Sequence, residues 1–152
     1  MRRVFFLASL FAGLAIAQTA LAAHHGPDGL FRRKTPEQAI TAISDACKDR
    51  GFFVRNQSPV EVICQAQDLP RGEVVFRAKG PISDPHDGAQ MFHTFNAESA
   101  PDGALVHEIT VLVMKTGSTL HEIAPMLLGA KIVNDRVKEL YGALGVESVL
   151  AK

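Results

Sequence analysis

The sequence predicts a two-layer α+β sandwich with an N-terminal helix, an antiparallel meander of about five strands and a long C-terminal helix, both helices covering one sheet face. Three observations carry this. A capped, amphipathic pattern begins at Thr35; alternating apolar runs fill much of 52–115; and apolar residues recur at spacings of four and three from Met126 to Leu144.

The first residues stand apart from that domain. Arg2 and Arg3 precede an apolar run from Val4 to Ala17, and Ala20-Leu21-Ala22 supplies a small-x-small cleavage site, so residues 1–22 read as a signal peptide. The run is shorter than the roughly 20 residues a membrane span needs, and no transmembrane anchor is expected after cleavage. Arg2-Arg3-Val4-Phe5-Phe6 also fits a twin-arginine pattern, although paired basic residues occur in any n-region. The product is placed in the periplasm or outside the cell.

Cleavage leaves about 130 residues, enough for one domain with its own core. The whole chain balances 16 basic against 16 acidic residues, and loss of Arg2 and Arg3 tips the remainder slightly acidic. A nucleic-acid binder needs a basic stripe to neutralise phosphates, so that class is set aside. Residues 23–34, with two glycines, a proline and two histidines, are expected to form a flexible tail. The single α+β domain is expected over 35–152.

Thr35 offers an N-cap, Pro36 fits the first helical position, and Gln38 completes a capping box. Ala39, Ile40, Ile43, Ala46 and Cys47 then share one helical face, which Gly51 can terminate in the left-handed conformation. Phe52-Phe53-Val54 begins a strand, and Asn56-Gln57-Ser58-Pro59 turns the chain. Val60, Val62, Cys64 and Ala66 follow on one face of the next strand. Cys47 and Cys64 thus both point into the interface between helix and sheet. As the sole two cysteines of an exported chain, they are expected to form a disulfide. The alternative is a pair of buried thiols acting as small hydrophobes.

Glu73 to Lys79 reads as a third strand and Gly80 to Ala89 as a long loop. Gln90 to Glu98 and Ala104 to Lys115 are the longest strands, joined by Pro101-Asp102-Gly103. A three-residue turn ending in a left-handed glycine pairs Ala100 with Ala104, Phe95 with Ile109 and His93 with Val111. One face then carries Met91, His93, Phe95, Ala97, His107, Ile109, Val111 and Val113 as the core side. The other presents Phe92, Val106, Leu112 and Met114 as an open surface for a partner, beside Glu98 and Glu108 in solvent. Thr119 and Glu122 suggest a capping box ahead of a short helical turn at 120–124. Beyond Pro125 the stripe of Met126, Ala130, Val133, Val137, Leu140 and Leu144 makes the last helix, flanked by Ile132 and Tyr141. Val146 to Lys152 is an apolar tail lying along the domain edge.

Chemistry is sparse. Cleavage after Ala22 would expose Ala23-His24-His25, whose amine, amides and third-position imidazole can wrap copper or nickel in a square plane. In the expected register His93 and His107 lie roughly 13 Å apart, too far to share an ion. Asp84-Pro85-His86-Asp87-Gly88 lacks calcium-loop spacing, His121-Glu122 lacks the second histidine of a zinc motif, and no serine has the glycines of a nucleophile elbow. The sequence therefore predicts a non-enzymatic exported protein that binds an envelope protein or a small apolar ligand through its sheet and helix surface, without a cofactor. The alternative is copper or nickel held by the mature N-terminus.

Overall fold

The computed structural model describes residues 23–66, 90–116, 119–123 and 128–149. In chain order these form β1 (His24–His25), β2 (Asp28–Arg32), α1 (Pro36–Asp49), β3 (Phe53–Gln57), β4 (Glu61–Ala66) and β5 (Gln90–Ala100), then β6 (Gly103–Thr116), β7 (Thr119–Ile123), α2 (Leu128–Ala143) and β8 (Glu147–Val149). Residues 1–22, the expected strand over 73–79 and the loop over 80–89 lie outside the described residues. The class is α+β, with two helices and antiparallel pairing among all described strands.

The sheet is not a plain meander. Its order is β3-β4-β5-β6-β2-β8, and β1 and β7 also pair with β6. β5 and β2 both pair with the start of β6, and β5 and β7 both pair with Leu112 and Val113, so β2 and β7 lie along the edge of β6 opposite β5. The stretch over 23–34 is therefore no flexible tail. Phe31, 1% exposed, fills the core opposite Ala104, and Arg33 donates its backbone N–H to the Asp102 carbonyl. Two strands separated by Gly26-Pro27 carry too little alternation to register as strands, and partner strands distant in sequence supply what local propensity does not.

α1 forms as its sequence dictates. Thr35 Oγ1 accepts from the Gln38 N–H at 3.2 Å, and Gln38 Oε1 accepts from the Thr35 N–H at 3.0 Å, which satisfies two otherwise orphaned donors. Gly51 takes a φ of 76°, and Phe52 N–H returns to the Cys47 carbonyl to close the helix. Ala39, Ile40, Ile43 and Cys47 are buried against the sheet. Cys47 and Cys64 form the disulfide, with Cα atoms 6.2 Å apart.

The largest departure lies in the hairpin. Ala100 pairs with Gly103, so Pro101-Asp102 is a two-residue turn and every β6 partner moves by one. The core side now carries Met91, His93, Phe95 and Ala97 from β5 with Val106, Glu108, Thr110 and Leu112 from β6. His107, Ile109, Val111 and Val113, expected in the core, face outward. Two-residue turns usually need positive φ, which proline forbids, and Arg33 is the one non-glycine with positive φ among the described residues. Gly103 serves another purpose: a Cβ there would collide with the Phe31 carbonyl oxygen and the backbone of Arg32 and Arg33. The glycine lets β2 approach.

Residues 119–123 form β7 against β6 instead of a helical turn. α2 follows the predicted stripe, burying Val133, Val137, Leu140 and Tyr141, and Gly145 ends it at φ 65°. Both helices lie on the side of Val106 and Leu112, since α1 and α2 share a core with them. β8 pairs with β2 as an edge strand, so residues 147–149 of the expected tail lie along the domain edge.

Candidate functional site

The pleat of β5 and β6 brings His93 directly opposite Thr110 and one step from Glu108. All three side chains are buried beneath the helices. His93 Nδ1 lies 2.8 Å from Glu108 Oε1 and 2.9 Å from Thr110 Oγ1, and the Thr110 hydroxyl donates to the same Glu108 oxygen. Since that hydroxyl spends its one proton on the carboxylate, it accepts from His93, and the proton on the ring sits at Nδ1. The opposite ring nitrogen, Nε2, has no partner, nor do Glu108 Oε2 and the Tyr141 hydroxyl. Unmatched buried polar atoms are costly, so three in one layer are unusual.

Aromatic groups frame the imidazole. Phe52, just past α1, stacks on it with ring centres 5.9 Å apart and an 8° interplanar angle, and Phe95 stacks at 6.3 Å. Tyr141 meets Phe31 and Phe95 edge-on. Burial, then the negative charges of Glu108 and Asp28, raise the Tyr141 pKa far above its ordinary value, so the phenol keeps its proton. Two glycines make this packing fit. A Cβ on Gly26 would overlap Glu108 Oε2, and one on Gly29 would strike the Tyr141 ring. The N-terminal segment thus walls the polar cluster.

A cleft of about 290 Å³ opens above His93, between the end of α1 and the face of α2. Phe52, Phe95, Val137 and Leu140 line it with His93, and Arg50, Arg136 and Glu139 stand at its side. Arg50 donates to the Glu139 carbonyl at 3.2 Å, which ties the two helices across the opening.

The outer sheet face carries a second cluster. His107 Nδ1 lies 2.9 Å from Asp28 Oδ1 and its Nε2 3.4 Å from Glu98 Oε1, joining β2, β5 and β6. Burial, the largest influence, works to lower the His107 pKa, but the hydrogen bonds and charges of Asp28 and Glu98 outweigh it and the net shift is upward.

The residues singled out in the sequence are distributed differently from expectation. Cys47 and Cys64 meet. Val106 and Leu112 are fully buried on the core face, whereas Phe92 lies on the outer face opposite Val111, so the expected partner surface of Phe92, Val106, Leu112 and Met114 does not exist as one face. The side chain of Met114 lies outside the described ones. Among the described residues, those that are apolar and face outward include Ile63, Phe92, Ile109, Val111 and Val113, all partly buried. Glu108, expected in solvent beside Glu98, is 1% exposed and on the opposite face. His93 and His107 are separated by the sheet itself.

Ala23 directly precedes β1, which holds His24 and His25. His24 and His25 pair with Thr110 and Ile109 of β6, and His24 Nε2 lies 2.8 Å from Asn134 Oδ1 of α2. A square-planar chelate through these amides would have to displace β1 from the sheet. Among the described residues no three histidine, cysteine or carboxylate side chains are placed to hold an ion. The signal for the His93 cluster was present in the sequence as a histidine within an apolar alternation, but its carboxylate partner depended on the register. Compared with known proteins, the chain matches no family model and no curated protein.

Proposed function

We propose that this is a small exported binding protein that takes a small, largely apolar ligand into the cleft between α1 and α2. The observation that carries this reading is the cleft itself, where Phe52, Phe95, Val137 and Leu140 form an apolar lining with His93 and the charged Arg50, Arg136 and Glu139 complete it. A concave apolar site with a few convergent polar groups is the usual form of a small-molecule pocket, and this one lies at the small end of the size range. Export is supported by the leader-like residues 1–22 and by the disulfide, which persists in oxidising compartments. Among the described residues no helix is long and apolar enough to cross a membrane. Titration with a fluorescent apolar probe tests the reading, with Leu140→Arg as the blocking variant. Saturable binding that the arginine abolishes is expected; binding unaffected by Leu140→Arg would reject the cleft.

A protein partner on the outer sheet face is the second reading. It is favoured by Ile63, Phe92, Ile109, Val111 and Val113, which neither helix covers. Light scattering with Phe92→Asp as the control variant tests it, and a monomer that captures no envelope protein through this face would dismiss it.

A further inference from the structure

We propose that the Arg50 side chain is a strap across the mouth of the cleft, setting how fast a ligand enters and leaves without contributing to how tightly it is held. The inference rests on the cleft being a binding site and adds the control of access to it.

Both walls of the opening are anchored through their backbones. On the α1 side the disulfide ties Cys47 to Cys64 of β4, and Cys64 pairs with His93 of β5, so the last turn of α1 is fixed to the strands beneath the cleft. The chain that follows is closed on itself. Arg50 N–H reaches the Ala46 carbonyl at 3.2 Å, Gly51 N–H the Lys48 carbonyl at 2.9 Å and Phe52 N–H the Cys47 carbonyl at 2.9 Å. On the α2 side, Val137, Leu140 and Tyr141 are buried in the core that α1 shares. Moving either wall would break packing or hydrogen bonds of the core, whereas turning an exposed side chain breaks neither.

Arg50 supplies that side chain. It stands at the C-cap of α1, lines the cleft, and donates to the Glu139 carbonyl of α2 at 3.2 Å. The acceptor is the backbone of Glu139 and not its carboxylate, and arginine keeps its proton throughout, so the link depends on no titration. The bond is exposed to solvent, where one hydrogen bond adds little net free energy and side chains change rotamer within nanoseconds. The closed strap is therefore favoured over the open one by about two- to tenfold. Such a device acts on rates. Entry is slowed by the share of time the strap is closed, and escape is slowed alike because the bond re-forms over the occupant, so their ratio is unchanged. An arginine that only gripped the ligand would act on escape alone.

The test follows binding of N-phenyl-1-naphthylamine, a neutral fluorescent probe that feels no net pull from the charges at the mouth, by stopped flow on the purified protein. Wild type is compared with Arg50→Ala and with Arg50→Met, which keeps an extended side chain but has no donor. Both variants should raise the association and dissociation rate constants together by about two- to tenfold, with Kd unchanged to within about twofold. Rates indifferent to both substitutions, or a faster dissociation alone with a weaker Kd, would overturn the strap while leaving the cleft as a binding site. No saturable binding by wild type, or binding that Leu140→Arg leaves intact, would remove the cleft reading and this inference with it. Should the Arg50 variants not fold, nitrogen NMR relaxation of the wild-type guanidinium decides: restricted motion in both the free protein and the probe complex is expected, and a freely rotating guanidinium in both overturns the proposal.

Discussion

Two glycines of the chain differ sharply in what they tolerate. Gly26 lies against Glu108 Oε2, whereas Gly142 on α2 has no atom within 4 Å of where a Cβ would sit. Gly26→Ala is expected to lower stability by about 1–3 kcal/mol through overpacking around a carboxylate that cannot retreat. Gly142→Ala should instead raise it by about 1 kcal/mol, the helix-propensity difference. Urea midpoints of the two variants check both signs. His107 supplies the pH dependence at this scale. Its pKa is higher in the folded protein than the ordinary 6.5, so the folded state binds the proton more tightly. The stabilisation is fully present below 6.5 and is lost as pH rises through the folded value. Stability should therefore decline on the alkaline side of neutrality, and His107→Gln should flatten that decline in urea melts from about pH 5 to about pH 9. The effect is modest because the ring is 42% exposed.

At the scale of elements, the disulfide fixes α1 to β4 across 17 residues. Closing a loop of this length contributes roughly 3 kcal/mol in the chain-entropy model. Reduction, or paired Cys47→Ala and Cys64→Ala, should lower the unfolding free energy by about that amount, read by urea denaturation with and without reductant. The helices were legible in the sequence because each carries its own signals: Thr35 and Gln38 cap α1, and Val133, Val137 and Leu140 keep helical period. The strands were legible as elements and less so as partners. A single residue in the turn, Gly103 pairing with Ala100, decided which side of β6 is inside. The alternative register exchanged Glu108 for Ile109 in the core, and local pattern could not arbitrate, since both faces of β6 hold apolar residues. What settles the register is β2 passing close to Gly103, a contact invisible while residues 28–32 read as a tail. The polar cluster was missed for the same reason: His93 was visible, but Glu108 and Thr110 join it only in the correct register.

For the whole molecule, the N-terminal segment is structural. β2 is hydrogen-bonded between β6 and β8, Phe31 is part of the core, and His24 reaches Asn134 on α2. Deleting residues 23–33 should abolish cooperative thermal unfolding, because it opens the core at Phe31 and strips β8 of its pairing partner. A disposable tail would leave the melting temperature unchanged, and differential scanning calorimetry separates the outcomes. That same arrangement governs how the chain matures. The pairing of Asp28 with Val149 joins positions at nearly opposite ends of the described chain, so a nascent polypeptide on the ribosome cannot close its sheet until synthesis has passed the last strand. Pairings of such long sequence separation also form slowly. Until β8 is made, β2 has β6 as its strand neighbour on one side and none on the other.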